Sequence, residues 1–184
     1  MKDDATETIR LKAELAAARA RIAELEARAD IDPLTDIVNR HGFERELARS
    51  LAYVKRYGTD AALIYLDLDG FKPINDRHGH AAGDALLKAV AAVLTRQVRA
   101  SDLVARLGGD EFAVLMWNLG AQAATAKALE LEELIASERV GHDGGELAVG
   151  VSAGVATLAP HDTPAQVIDA ADRAMYLRKK ERRK

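Results

Sequence analysis

Residues Arg106 to Phe112 read Arg-Leu-Gly-Gly-Asp-Glu-Phe, and about forty positions upstream a second acidic pair, Asp67 and Asp69, closes an apolar run. Carboxylates at two such places can converge on one hard cation. Mg²⁺ is held by one or two carboxylates together with the oxygens of a phosphate, so the pattern outlines a metal-and-nucleotide site. Asp67 and Asp69 share a face only if one strand runs through both.

The flanking pattern indicates the elements that position these groups. Leu103 to Leu107 and Phe112 to Trp117 read as strands, which makes Gly108-Gly109 a tight hairpin turn that needs positive φ and puts Asp110 and Glu111 at a sheet rim. Ala61 to Leu66 is short, apolar and bounded, as suits a strand buried on both faces. Between the acidic clusters, Asp67 to Asp84 is too polar and too glycine-rich for core, and it is expected to be a nucleotide-handling loop. Helices are expected near Arg40 to Tyr57, Gly83 to Val98, Ala121 to Ser137 and Thr163 to Arg182, with a further strand near Leu147 to Thr157. Helices and strands alternating around one hairpin predict an α+β (mixed α/β) domain, its sheet of mixed strand direction packed against helices.

The order and spacing of the polar residues carry more. Asp67-Leu-Asp-Gly-Phe-Lys-Pro-Ile-Asn-Asp-Arg-His-Gly-His-Ala-Ala-Gly-Asp84, followed by the Gly-Gly-Asp-Glu-Phe run, resembles the GGDEF family of diguanylate cyclases over roughly residues 30 to 184. Asp32-Pro-Leu-Thr-Asp-Ile-Val-Asn-Arg40 resembles that family's opening motif, with Asp36 where glycine is usual. Val151 to Ala156 and Ala171 to Tyr176 resemble its later strand and last helix. The resemblance implies a palm-like nucleotide cyclase fold, a central and mostly antiparallel sheet flanked by helices. It also implies condensation of two GTP into cyclic di-GMP and two pyrophosphates by a homodimer that holds one GTP per domain.

Residue roles follow from the same resemblance. Asp67 and Asp110 would ligate Mg²⁺ or Mn²⁺, one or two ions per active site, with the backbone carbonyl of Leu68 as a further ligand. Asp110 matches the position proposed as base for the attacking 3′-hydroxyl. A metal-bound carboxylate is a poor base, so lowering of the hydroxyl's pKa by the metal is the preferred account. Glu111 is expected either to bind metal or to orient the ribose. Lys72 would meet phosphate charge as it grows in the transition state. Lys179 and Arg183 would contact the triphosphate, although Arg178 to Lys184 departs from the family's usual sequence and basic residues also complement a helix C-terminus. Asp84 would accept from guanine N1–H and N2–H₂ while Asn75 reads the other edge, a discrimination that works because a wrong base leaves buried polar groups unpaired. His80 is expected near the nucleotide. Arg99-Ala-Ser-Asp102, four residues before Arg106, resembles the family's inhibitory product-binding motif. Alone, such an Arg-x-x-Asp is usually a surface ion pair of little energetic weight.

Residues 6 to 29 contain no Gly or Pro, and their apolar positions follow a heptad: Thr8, Leu15, Ile22 and Ala29 at a, with Leu11, Ala18 and Leu25 at d. In a parallel pair Glu14 faces Arg19 and Arg21 faces Glu26. A dimeric coiled coil over residues 1 to 30 is expected, with a solitary amphipathic helix as the alternative, then a hinge near Asp30 to Pro33 and the cyclase domain over 31 to 184. The coiled coil would bring two GTP-loaded domains face to face.

Composition removes other classes. A chain of 184 residues suits one domain with an extension, and the lack of cysteine excludes a disulfide framework, a thiolate metal site and a cysteine nucleophile. A formal charge of −3 argues against a nucleic-acid partner. No apolar stretch reaches the roughly 18 to 20 residues a membrane span needs, and the first residues lack a signal-like run, so a cytoplasmic protein is expected. Control could come through the coiled coil, a regulatory protein partner or the product. Two rival functions stay open: a non-catalytic receptor for GTP or cyclic di-GMP, and a cyclase making a different cyclic dinucleotide.

Overall fold

The computed structural model describes residues 30–182 together with Arg10, Leu11, Lys12, Glu14, Leu15, Ala17, Arg19, Arg21, Ile22 and Leu25 of the N-terminal segment. Those ten are helical and exposed. Leu11, Leu15, Ile22 and Leu25 of the expected seam are each 51–54% exposed, whereas Thr8, Ala18, Glu26 and Ala29 lie outside the described residues.

From Val38 the order is β1 (Val38–Asn39), α1 (Arg40–Tyr57), β2 (Ala61–Asp69), α2 (Phe71–His78), α3 (His80–Arg96), β3 (Leu103–Gly108), β4 (Glu111–Trp117), α4 (Ala121–Ser137), β5 (Val140–His142), β6 (Gly145–Leu147), β7 (Gly150–Thr157) and α5 (Pro164–Arg182). Five strands form one sheet in the order β1-β3-β4-β2-β7. All its pairings are antiparallel except β1 with β3. A separate small hairpin joins β5 to β6.

Two helical layers bury this sheet. On one face Leu86, Leu94, Leu131 and Ile135 of α3 and α4 cluster with Ile64, Leu66 and Phe112. On the other, Phe43, Leu47, Val167 and Met175 of α1 and α5 cluster with Leu63, Tyr65 and Leu115. Helix α1 owes its place to period: Phe43, Leu47, Leu51 and Val54 recur on one buried stripe, and the Asn39 side chain caps it by accepting the Gly42 N–H at 3.0 Å. Because both faces are covered, Ala61 to Leu66 of the central strand is buried without alternation.

Three expectations need correction. Strand β2 does not stop at Leu66 but continues to Asp69, which pairs with Gly150 of β7, so Asp67 and Asp69 do share a face. The stretch to Asp84 is not a loop: it is α2 and the first turns of α3, held down by Phe71, Ala82 and Leu86 while their polar residues face outward. Composition suggested a loop because these helices bury only a narrow stripe. The strand expected near Leu147 to Thr157 is two strands, β6 and β7, that belong to different sheets.

The expected hinge is tied down. Arg45 donates to both carboxylate oxygens of Asp30 at 2.7 and 2.5 Å, the Asn39 N–H donates to the Asp30 carbonyl at 2.8 Å, and the Asp32 N–H donates to the Ile37 carbonyl at 2.7 Å. Within this turn Asp36, the residue that replaces the family's glycine, has φ of +57°. Left-handed backbone costs a residue with a Cβ roughly 1–2 kcal/mol, and glycine's extra unfolded-state entropy returns about 0.4–1 kcal/mol of that. Asp36→Gly should therefore stabilise the domain by on the order of 0.5–1 kcal/mol, a rise of about 2 °C in Tm. An unchanged or lower melting temperature would show that the aspartate side chain offsets the strain.

Candidate active site

The acidic rim is assembled by three strands and the last helix. Asp67 lies directly across from Glu111 in the β2–β4 ladder, and the Leu68 N–H donates to the Asp110 carbonyl at 3.2 Å, which stitches the hairpin turn to the central strand. Gly108 and Gly109 both take positive φ, +144° and +49°, as the turn requires. Asp110 is partly buried, and its carboxyl is pushed above the usual range, first by burial and then by the charge of Asp67. Two carboxylates therefore crowd one place at the end of the sheet.

Lys179 of α5 answers that charge. Its ammonium contacts Asp67 and stands 3.7 Å from Asp69. Asp69 also accepts from Ser152 Oγ, at 3.0 Å to each oxygen, and has Arg182 at 3.8 Å. Arg183 lies outside the described residues.

Glu111 has other company. The Arg40 guanidinium approaches it at 3.4 Å while donating to the Leu107 carbonyl at 2.7 Å. The Tyr65 phenol is pushed well above its usual range, first by burial and then by the Glu111 carboxylate near it. Arg106 grips the turn from behind, donating to the Gly109 carbonyl at 3.1 and 2.8 Å and to Asp32 at 3.2 and 3.3 Å. Asp32 is held below the usual carboxylate range: burial opposes this, and is outweighed by hydrogen bonds from the Thr35 hydroxyl and N–H and by the Arg106 charge.

Among the described residues no three His, Cys, Asp or Glu side chains are grouped so as to hold a metal ion. Asp67 and Asp110 still fit one: Mg²⁺ is commonly held by one or two carboxylates with substrate phosphates completing its shell, and the mutual repulsion of these two favours a cation between them.

A second cluster sits on α2 and α3. Gly83 packs against Asn75 so closely that a Cβ built on it would lie 1.9 Å from Asn75 Oδ1. That oxygen is buried with no hydrogen-bond partner. Asp84, His80 and Lys72 are exposed nearby in the chain, on α3 and α2. At the sheet's far end, Asp102 accepts from the Arg99 N–H at 3.0 Å and from the Trp117 N–H at 3.2 Å, so it braces a turn and makes no ion pair with Arg99. Gln97, Arg99, Asp102, Trp117, Lys127 and Glu130 line a cavity of about 340 Å³ there.

Sequence reading missed Arg40, Tyr65, Ser152, Glu132 and Arg182. Arg40, as the last residue of the opening motif, and Ser152, within Val151 to Ala156, lay in segments already matched to the family.

An antiparallel sheet between two helical layers, with acidic residues at the rim of its central strands, is the palm-like fold of nucleotide cyclases. The family profile described as diguanylate cyclase, GGDEF domain, matches residues 29–184, and the chain belongs to that family. It is 43% identical over 166 residues to the diguanylate cyclase TpbB of Pseudomonas aeruginosa, an alignment covering 88% of this chain and 38% of that protein. The chain thus spans well under half the length of this curated relative. A sensory box/GGDEF family protein from Caulobacter crescentus is 42% identical, with a TM-score of 0.76 over 83% of this chain and 99% of that one. The coiled coil and GGDEF domain of DgcB from the same bacterium, solved in complex with c-di-GMP, is 30% identical with a TM-score of 0.79, covering 96% and 94% of the two chains. No helix among the described residues is long and apolar enough to cross a membrane.

Proposed function

We propose that this chain is a diguanylate cyclase that condenses two GTP into cyclic di-GMP and two pyrophosphates. The observation that carries the reading is the Asp67–Asp110 carboxylate pair at the sheet rim with Lys179 against it, an anionic cradle with its own counter-charge. In each condensation a 3′-oxygen forms a bond to an α-phosphorus, the bond from that phosphorus to the departing pyrophosphate breaks, and the hydroxyl proton leaves to solvent. Mg²⁺ or Mn²⁺, one or two ions per site, would neutralise phosphate charge and lower the pKa of the attacking hydroxyl.

Asp67 and Asp110, with the Leu68 carbonyl, hold the metal in this reading. Lys179 and Arg183 contact the triphosphate, and Lys72 meets charge that grows on it. Of the two roles expected of Glu111, its bond to Arg40 favours orienting the ribose over ligating metal. Asp84 accepts guanine N1–H and N2–H₂ with His80 beside the nucleotide, and Asn75, whose Oδ1 is buried without a partner, reads the other edge. Gly83→Ala would push the Asn75 amide aside, so GTP affinity should fall by roughly tenfold while the fold persists, because the displaced group is a side-chain end. Calorimetry with GTP and a thermal melt check both halves; unaltered affinity would remove Asn75 from the site.

Two domains must face each other, and a parallel coiled coil through Leu11, Leu15, Ile22 and Leu25 would supply the homodimer; their half-exposed side chains support it. Arg99 and Asp102 form a product-binding site in this reading, Arg99 forking onto guanine or phosphate. The enzyme would work in the cytoplasm, under control of its product or of a regulatory protein.

The test is incubation with GTP and Mg²⁺ followed by mass identification of the nucleotides, repeated with added cyclic di-GMP. Cyclic di-GMP appearing, and its formation slowing as product is added, is the expected result. Unconsumed GTP at high protein concentration, after any bound product is stripped, would overturn the cyclase reading.

A further inference from the structure

Glu132 is a carboxylate with almost no access to water, its side chain 6% exposed, on a helix that contributes nothing else to the active site. It falls on the buried stripe of α4 beside Ala128, Leu131 and Ile135. One oxygen accepts the Ala153 N–H of β7 at 2.9 Å. Arg178 of α5 donates to the same carboxylate through Nε at 3.3–3.4 Å and through its terminal nitrogen at 3.0 Å, and Arg182 stands 3.6 Å away. Arg182 in turn donates to the Val151 carbonyl and lies 3.8 Å from Asp69.

Burying a charge is expensive unless it is paired and bonded, and an apolar side chain of similar size would often serve stability as well. This carboxylate is fully used, and what it uses is direction. Arg178 and Arg182 are one helical turn apart and both turn toward Glu132, while Lys179, about 100° further round α5, turns toward Asp67 and Asp69. Without Glu132, Arg178 would lose the carboxylate that binds it, and Arg182 would keep the Val151 carbonyl and Asp69 at the acidic rim.

We propose that Glu132 is a positioning residue: it holds Arg178 and shares Arg182 with Asp69, fixing the rotation of the last helix so that Lys179 faces the Asp67–Asp69 carboxylates. The inference rests on the cyclase reading in taking Lys179 as a triphosphate contact. Glu132 touches neither substrate nor reacting atoms and acts through α5.

Glu132→Gln keeps an oxygen for the Ala153 N–H and loses the charge that holds the arginines. Arg178→Gln leaves Glu132 bonded to Ala153 and near Arg182, and covers the case in which the first variant fails to fold. For both, the KM for GTP should rise about tenfold with kcat changed less than threefold, and binding of α,β-methylene GTP with Mg²⁺, followed by calorimetry, should weaken by the same factor. The double variant should be no worse than either single one, since both cut the same link. A lowered Tm with unchanged nucleotide affinity, or fully additive losses, would overturn the proposal and leave Glu132 a structural ion pair. Wild-type protein that binds the analogue but makes no cyclic di-GMP would defeat the cyclase reading alone, and Glu132 would then be judged on binding. Wild-type protein that does not bind it would defeat both.

Discussion

Asp110→Asn should give a folded protein whose formation of cyclic di-GMP falls by about 10³-fold or more, a loss near 4 kcal/mol of transition-state stabilisation. The same substitution should make the nucleotide-free protein more stable. Burial, and then the neighbouring charge of Asp67, raise the Asp110 carboxyl above its ordinary value. A carboxyl whose folded-state pKa lies above its unfolded one supports the fold below the unfolded value, and that support is lost as pH rises through the folded value. At neutral pH the ionised group therefore opposes folding, and asparagine removes the opposition. Melting in EDTA at pH 7 should show the variant above wild type, whereas the gain in Tm on adding Mg²⁺ and GTP should be confined to wild type. Activity within tenfold of wild type, or a lower Tm in EDTA, would mean that Asp110 is not the crowded metal carboxylate proposed.

Gly154→Ala should damage the fold and the site together. A Cβ built on Gly154 would lie 2.0 Å from the Met175 nitrogen, 2.2 Å from the Ala171 carbonyl oxygen and 2.7 Å from the Met175 Cα. Every one of these atoms is backbone of α5, so no rotamer change relieves the contact. The helix must lift from β7, its closest support, uncovering Val167, Ala171 and Met175. A loss of about 3 kcal/mol or more is expected, a drop in Tm of roughly 6–12 °C. Lys179 rides on the same helix one turn beyond Met175, so the protein that still folds should bind GTP more weakly. A thermal melt and a GTP titration check the two effects, and a Tm within 2 °C of wild type would mean that α5 is not seated on β7 this closely.

Much of this fold was legible where one face of an element is apolar. Helices α1 and α4 begin and end where periodicity puts them, Arg40–Tyr57 and Ala121–Ser137, because long amphipathic stripes leave little freedom. The last three residues of β2 were lost because Asp67 and Asp69 flank Leu68 in plain alternation, which a short apolar run conceals. The β5–β6 hairpin carried its own sign, Asp143-Gly144, both at positive φ, and was passed over because its arms are only three residues each. The rim carboxylates could be read from their motif, but their partners could not. Glu132 stands in an acidic run, Glu130 to Glu133, whose members look alike in one dimension; only the stripe through Ala124, Ala128 and Ile135 singles it out. Arg182 was not singled out because neighbouring basic residues at a helix end differ only in azimuth.

The Arg106 guanidinium bridges two places far apart in the chain, Asp32 in the opening turn and the Gly109 carbonyl in the β3–β4 hairpin. Asp30, two residues earlier, is clamped to α1 by Arg45. The turn is thus a stiff coupling with a single rod in it. A displacement at residue 30 would meet the Asp30–Arg45 pair and the backbone bonds of Asn39 and Asp32, while Arg106 links the turn to the glycine pair. The opening turn and the glycine pair beside Asp110 thus share one guanidinium, and loss of Arg106 would loosen both at once.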